Sequence, residues 1–334
     1  MNDPLVSIII ITYNRPFLLR HCIERALSQP YPYKEVIVVD SSSNDESERV
    51  VAQYPEVISV RLRGQRNNMP QARNEGIAAS SGDILAFIDD DSMIQPGWLE
   101  ALVQTYRDER VGAVGGRVID MPEPYCDQVS GSLQLVMLPW GRVIRKGTGL
   151  LSTAQLEVDH LPGGNMSFRR QALEQIGCFD PNYTLTNLRE ETDICVRVKK
   201  AGWRVVFVPA MAVAHFSLRP ILDPFFRDKP VYQFSNGRNS MYFAVKHFGV
   251  HPRTLFSELA DASKPWVRVV YLPVLLLISA MAHAAGRIIG LVLGIAWHMN
   301  SKLRATSSPK IGRRRQVAIE QVPMPVVSQS ETLT

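Results

Sequence analysis

The first ninety residues alternate between short β-branched apolar runs and mixed segments with helical spacing. Val6–Thr12, VSIIIIT, is short and apolar almost throughout, which fits a strand buried on both faces. Similar runs follow at 35–39, 57–62 and 84–88, and the segments between them, 17–28, 46–53 and 71–80, read as helices. Ser81-Gly82-Asp83 stops the last of these. Strand and helix in alternation predict an α/β fold, with a mostly parallel central sheet flanked by helices. Such sheets take ligands beyond the carboxyl ends of their strands, where the chain places Thr12-Tyr13-Asn14-Arg15-Pro16, Asp40 to Asp45, and Asp89-Asp90-Asp91.

From 111 to 216 the pattern changes to short strands (111–118, 205–208), loops and one strong helix over 191–200, which suggests a mixed extension of the sheet able to hold a second substrate. Further on, 269–286 has no formal charge, and 288–299 is apolar after Arg287. A membrane-spanning helix needs about 20 apolar residues, so this segment fits spanning, lying in the interface, or packing on the body as a helical hairpin. Ala282, Gly286, Gly290 and Gly294 recur every four residues, a ladder that allows close helix packing. The chain thus divides into a body, 1–261 (halves 1–110 and 111–261), a helical apolar appendix, 262–304, and a tail, 305–334, expected to be disordered.

Charge sharpens the division. The 334 residues hold 37 Lys and Arg against 32 Asp and Glu, a net of +5. Residues 262–319 contain nine of the basic residues and no acid, which leaves the body slightly acidic. The basicity therefore points to a membrane surface rather than nucleic acid, and the aromatic-rich basic stretches that stack bases are missing. Cys22, Cys126, Cys178 and Cys195 form no CxxC pair and read as reduced thiols. A secretory leader is not evident before Val6–Thr12, so the body is expected on the cytoplasmic side. Neither GxGxxG nor GxxxxGK[ST] occurs, which disfavours dinucleotide and P-loop chemistry.

Three adjacent carboxylates after an apolar strand repel one another unless a cation sits among them, and hard oxygen ligands suit Mg2+ or Mn2+ shared with phosphates. They also suit an acidic cap on a helix starting near Pro96. Glu190-Glu191 heads a helix, where it is either helix-start electrostatics or a general base. Asp193 and Arg197, four apart, suit an ion pair. Trp98, Trp140 and Trp203 suit sugar stacking or core packing.

The ordered set Thr12-Tyr13-Asn14-Arg15, Val38-Val39-Asp40-Ser41-Ser42-Ser43-Asn44-Asp45, Ala72-Arg73-Asn74-Glu75-Gly76, Phe87-Ile88-Asp89-Asp90-Asp91, Gly163-Gly164-Asn165 and Glu190-Glu191-Thr192-Asp193 resembles the family 2 glycosyltransferases over about the first 250 residues. The resemblance implies a GT-A fold, a nucleotide-diphosphate sugar donor, a divalent cation (Mg2+ or Mn2+) and transfer of one sugar with inversion to a lipid-linked or polysaccharide acceptor. On it, Thr12, Tyr13, Asn14 and Arg15 line the nucleotide pocket, Asp40 meets the base, and Arg73 lies near the pyrophosphate. Asp89 and Asp90 face the donor, and Asp91, Asp89 and His215 serve the metal. Glu191, or failing that Glu190, is the base; the family more often has Asp at this position. With no QxxRW present, a processive polymerase is a poor match. A nucleotidyltransferase lacks its Gly-rich basic loop after the first strand, and a non-catalytic membrane scaffold is the remaining rival.

Overall fold

The computed structural model describes residues 3–62, 68–121, 134–137, 143–146, 154–216, 230–249 and 273–304. Cys126, Trp140 and the tail 305–334 lie outside the described residues.

The strands are β1 Val6–Thr12, β2 Lys34–Asp40, β3 Val57–Arg61, β4 Ile84–Asp89, β5 Ser92–Ile94, β6 Val111–Asp120, β7 Gln134–Met137, β8 Val143–Lys146, β9 Leu156–Glu157, β10 Asn165–Arg169 and β11 Arg204–His215. The helices are α1 Pro16–Leu27, α2 Glu46–Val51, α3 Met69–Ala79, α4 Trp98–Thr105, α5 Arg170–Ile176, α6 Glu190–Lys200, α7 Pro230–Phe248 and α8 Pro273–Arg304.

The main sheet runs β3-β2-β1-β4-β10-β6-β11-β5, with β9 paired to β11, and β7-β8 forms a separate ribbon. β1 pairs in parallel with both β2 and β4. β10 enters antiparallel between β4 and β6, and β11 lies parallel to β6. The parallel half expected from the alternating pattern is therefore continued by a mixed half.

The unbroken apolar runs have a direct cause. Ile8 and Ile10 of β1 pack with Leu19, Ile23 and Trp98 on one face of the sheet. Ile9 and Ile11 pack with Ala72 and Ile77 on the other. Val36 and Val38 against Ile37 and Val39 divide in the same way, as do Ala86 and Ile88 against Leu85 and Phe87. A strand with both faces covered has no polar side, so it cannot show alternation. Each such side chain contributes roughly 1.5–3 kcal/mol through burial.

Trp98 is fully buried, and its indole N–H donates to Asn165 Oδ1 at 2.8 Å, so it belongs to the core. The indole of Trp203 donates to Gln175 at 2.7 Å. Neither ring is placed to stack on a sugar.

Of the apolar appendix, Pro273–Arg304 forms one continuous helix, α8, that runs through Arg287. It packs along α7, a helix that the sequence pattern did not reveal. The small-residue ladder makes the contact: a Cβ on Gly286 would collide with the carbonyl of Phe234, and one on Gly290 with that of Arg238. Among the described residues no helix is long and apolar enough to cross a membrane.

Candidate active site

β2 and β4 flank β1, and their connections leave on opposite sides, so a crevice opens beyond the carboxyl ends of β1 and β4. Thr12, the last residue of β1, is buried and donates its hydroxyl to Asp90 Oδ2 at 2.7 Å. Arg15 reaches across from the start of α1, with Nη1 3.0 Å from Asp90 Oδ1 and 2.5 Å from Asp91 Oδ2. Asn14, in the left-handed region with φ 55°, accepts hydrogen bonds from Ser43 N and Oγ at 2.9 and 3.1 Å. That link ties the turn after β1 to the turn after β2. Tyr13 is half-buried between them.

Asp40 ends β2. Its Oδ1 accepts the Ser42 N–H at 2.8 Å, and its Oδ2 is paired with Arg61 of β3. Arg61 also donates to the carbonyls of Ser42 and Asn44 at 3.1 and 2.7 Å, so it holds the whole β2 turn. This partner was absent from the sequence reading, because β3 carries no motif and pairing requires the register of β2 on β3, which sets Asp40 opposite Arg61.

The three carboxylates diverge. Asp90 points toward Thr12 and Arg15; burial raises its pKa to about 7 against the pull of Arg15. Asp91 shares Arg15 with it through Oδ2, and its other oxygen, Oδ1, lies 3.4 Å from His215 Nε2. Burial disfavours its charge, but the hydrogen bonds and charges of His215 and Arg15 win and hold the carboxyl below its ordinary value. His215 ends β11, and its Nδ1 lies 2.7 Å from Asp120, the last residue of β6. Burial works against its charge too, yet Asp91 and Asp120 outweigh it and raise the imidazole to about 9. Asp120 is a second partner that no motif announced; strand pairing places it opposite His215.

Asp89 faces Arg73. Arg73 is completely buried; its Nη2 lies 3.7 Å from Asp89 Oδ1 and donates to the Gly163 carbonyl at 3.1 Å, while its Nη1 is ion-paired with Glu190. Gly164 closes this side: a Cβ there would stand 3.0 Å from Asp89 Oδ2. The glycine thus lets the backbone approach the carboxylate closely. Burial raises the Asp89 carboxyl against the opposing charge of Arg73.

Glu190 and Glu191 open α6, where unpaired backbone N–H groups favour negative charge. The loop before them is bent, with Leu185, Asn187 and Arg189 all at positive φ (67°, 57° and 79°). No glycine in the sequence marks it. Three non-glycine residues in a sparsely populated region within five positions indicate a backbone held by its surroundings, as at many functional sites. Glu190 is buried against Arg73, whereas Glu191 is half-buried. Burial pushes the Glu191 carboxyl above its ordinary value, against its own backbone hydrogen bond and the charge of Arg73. Thr192 bonds His160 Nδ1 at 2.9 Å. Asp193 and Arg197 form the expected ion pair at 2.9 Å.

A divalent cation is the group these residues would have to accept. Among the described residues, no three His, Cys, Asp or Glu side chains cage a metal unaided. Mg2+ and similar cations need only one or two carboxylates when phosphates and water supply the other positions. Asp91, with His215 beside it and Asp89 two residues away, meets that need. The fully buried Ser92 Oγ, which has no hydrogen-bond partner, leaves polar capacity at the same turn. The donor set fits.

The model of the family described as "Glycosyl transferase family 2" matches residues 7–177. A glucosyl-dolichyl phosphate glucuronosyltransferase of Haloferax volcanii is 26% identical over 220 residues, 63% of this chain and 68% of its own length. Glycosyltransferase AglE of the same organism is 37% identical over 120 residues, 34% of this chain and 40% of its own. Among solved structures, GalNAc-T7 with UDP, GalNAc and Mn2+ aligns at a TM-score of 0.56 and 17% identity, covering 90% of this chain and 58% of that one. The mannosyltransferase PcManGT of Pyrobaculum calidifontis, in complex with GDP-Man and Mn2+, aligns at 0.50 and 19%, covering 93% and 83%. At such identities the likeness concerns the fold, and it is the expected GT-A fold.

Proposed function

The chain belongs to glycosyl transferase family 2, and from that premise we propose that it moves one sugar from a nucleotide-diphosphate sugar to a hydroxyl of a lipid-linked or polysaccharide acceptor, with inversion. The observation that carries this reading is the convergence of two kinds of carboxylate on one crevice. Asp91 lies beside His215, and Glu191 lies close enough to Arg73 and Asp89 to feel the charge of both.

The nucleoside lies against Tyr13, Asn14 and the β2 turn, where Asp40 with Arg61 presents a fixed polar edge to the base. Thr12 and Asp90 brace the floor through their mutual hydrogen bond. Asp91, His215 and Asp89 would hold the divalent cation, Mg2+ or Mn2+, which would supply Lewis-acid neutralisation of the departing diphosphate. To join them, His215 has to give up the proton that Asp91 and Asp120 favour on it. Arg73, pinned by Glu190 and the Gly163 carbonyl, sets the separation between donor and acceptor sides.

The acceptor hydroxyl loses its proton to Glu191 as its oxygen attacks the anomeric carbon from the face opposite the diphosphate, and the bond from that carbon to the diphosphate oxygen breaks. Glu190 is engaged with Arg73 and so unsuited to this step. A raised carboxyl pKa makes Glu191 a better proton acceptor. The name of the Haloferax volcanii relative, which includes a dolichyl phosphate, supports a lipid-linked acceptor and with it work at a membrane surface.

The test is a panel of UDP, GDP and dTDP sugars with Mg2+ or Mn2+, read by nucleotide release with and without membrane lipid extract. Glu191→Gln should lower kcat by about 10²–10⁴-fold with the donor KM little changed. Glu190→Gln should instead destabilise the fold. Full turnover by Glu191→Gln, or pyrophosphate formation from sugar phosphates and nucleoside triphosphates, would sink the reading.

A further inference from the structure

α8 has two faces of opposite character. One is committed to α7: Gly286, Gly290 and Gly294 admit the α7 backbone and the Val245 side chain, and His283 and Arg287 are buried. Arg287 Nε donates to His283 Nε2 at 2.8 Å, and His283 Nδ1 lies 2.8 Å from the Gln233 carbonyl. On the other face, every exposed residue between 281 and 296 is apolar. Met281 and Ile288 are each 64% exposed and Val292 60%, with Ile289 and Ile295 beside them. The spacings of seven, four and three residues from Met281 to Ile295 set them in one stripe along the helix. Exposed large apolar side chains elsewhere, such as Phe17, Tyr33 and Leu185, are far apart in sequence. Single exposed hydrophobes are ordinary, whereas a contiguous stripe marks a binding surface.

Charge identifies the occupant. Residues 262–319 hold nine Lys and Arg and no acid. A second copy packed on this face through a two-fold axis would bring like charge against like charge. An acidic lipid surface offers the complementary sign together with an apolar layer beneath it. We propose that the packed α7–α8 pair, whose helices run parallel, docks the protein on an anionic bilayer. The stripe of Met281, Ile288, Ile289, Val292 and Ile295 enters the headgroup boundary, and α8 lies along the surface rather than crossing it. Its inner face, with a buried arginine and histidine, stays on the protein. This deepens, and takes its purpose from, the reading of a lipid-linked acceptor. The helix pair is also tied to the site: Lys246 of α7 lies 2.7 Å from Asp193 of α6, the helix that carries Glu191. Docking therefore sets the attitude of the crevice toward the surface from which such an acceptor projects.

The test is co-sedimentation of the full chain with vesicles of phosphatidylcholine alone or of equimolar phosphatidylcholine and phosphatidylglycerol, beside thermal melting and sedimentation velocity. The parent chain should bind the anionic vesicles and bind the neutral ones more weakly. Ile288→Glu with Val292→Glu should cut vesicle binding at least ~10-fold, with Tm within about 2 °C of the parent. Four results would overturn the proposal: indifference to phosphatidylglycerol, unchanged vesicle binding by the variant, a Tm many degrees lower (the stripe is then covered by this chain), or a parent dimer that the variant splits. Nucleotide release is read separately. An inactive chain that docks in this way counts against the transferase reading alone, and an active chain that ignores vesicles counts against docking alone.

Discussion

Two clusters of charged side chains meet the first turn of α6, one through Glu190 and the other through Asp193, and they have been put to different uses. At its start, Asp89, Asp91, Arg15, Arg73 and His215 surround an open crevice, where Arg15 and Asp89 side chains remain 36% and 28% exposed. On the side of α7, Asp180, Asp193, Lys246 and His247 are closed off: Lys246 is 3% exposed and Asp193 not at all. Lys246 lies 2.6 Å from Asp180 and 2.7 Å from Asp193, and His247 lies 2.7 Å from Asp193. Arg197 holds the other oxygen of Asp193, and Tyr242 donates to Asp180 at 2.8 Å. In the closed cluster the charges are satisfied by one another, and its product is a joint between α6 and α7. The open cluster has its acids spread among partial partners, so an incoming cation and diphosphate still find charge to neutralise. Composition does not separate the two; the accessible side chains of Arg15, Asp89 and His215 do, since Arg73 and Asp91 are as buried as the closed cluster.

The comparison breaks most visibly at Asp91. Asp91→Asn should cost at least ~10²-fold in metal-dependent nucleotide release, because the charge facing the diphosphate side disappears. Tm should fall only modestly: the pairing with His215 and Arg15 that holds this carboxyl below its ordinary value is lost, while repulsion from the neighbouring acids is relieved. Lys246→Met should do the reverse. Breaking a buried ion pair from one side leaves uncompensated charge and costs about 3–5 kcal/mol, read by denaturant melts, while kcat per folded molecule changes only a few-fold. A large kcat loss in Lys246→Met with normal stability would show that the two clusters act as one.

The closed cluster also predicts a pH response. Burial opposes charge on Asp193, but Lys246, Arg197 and His247 prevail and hold its carboxyl well below the usual range; Lys246 does the same for Asp180. A carboxyl depressed in the folded state contributes stability that is fully present above its unfolded pKa of about 3.9 and is lost as pH falls through the folded value. Stability should therefore drop from about pH 4 downward. Lys246→Met should flatten that drop, as followed by melts at successive pH values.

How much of this could be read from the sequence differs between the same two regions. The open cluster was largely legible, because its members follow strand ends and strand ends follow apolar runs. Thr12, Asp40, Asp89 and Asp91 needed only the position of β1, β2 and β4. Their partners Arg61 and Asp120 needed strand register, which the sequence pattern does not carry across a crossover. The closed cluster was legible only in its local pair, Asp193 with Arg197. Lys246 and His247 sit on α7, 53 and 54 residues further on than Asp193, in a helix whose apolar spacing is diluted by Ser235, Asn239 and Ser240, all buried polar residues. The appendix was found as apolar and helical, but its partner helix was not. A helix that packs through glycines against backbone shows no matching apolar stripe on the other side.

The smallest effect is expected at Arg15, and it bears on how open the open cluster is. Its guanidinium approaches the Asp91 oxygen that does not face His215, and it also holds Asp90. Being about one third exposed, it contributes little to stability, as surface pairs generally do. Its weight lies in competition, since a cation drawn to Asp91 meets a positive charge already there. Arg15→Met should therefore leave Tm nearly unchanged and tighten Mn2+ binding in the absence of donor by about threefold to tenfold, measured by calorimetric titration. With a nucleoside diphosphate present the gain should shrink, because the freed guanidinium of the parent chain can turn to the diphosphate. Weaker Mn2+ binding in Arg15→Met would mean that Arg15 holds Asp91 in its binding orientation, and that the open cluster is more tightly organised than its exposure implies.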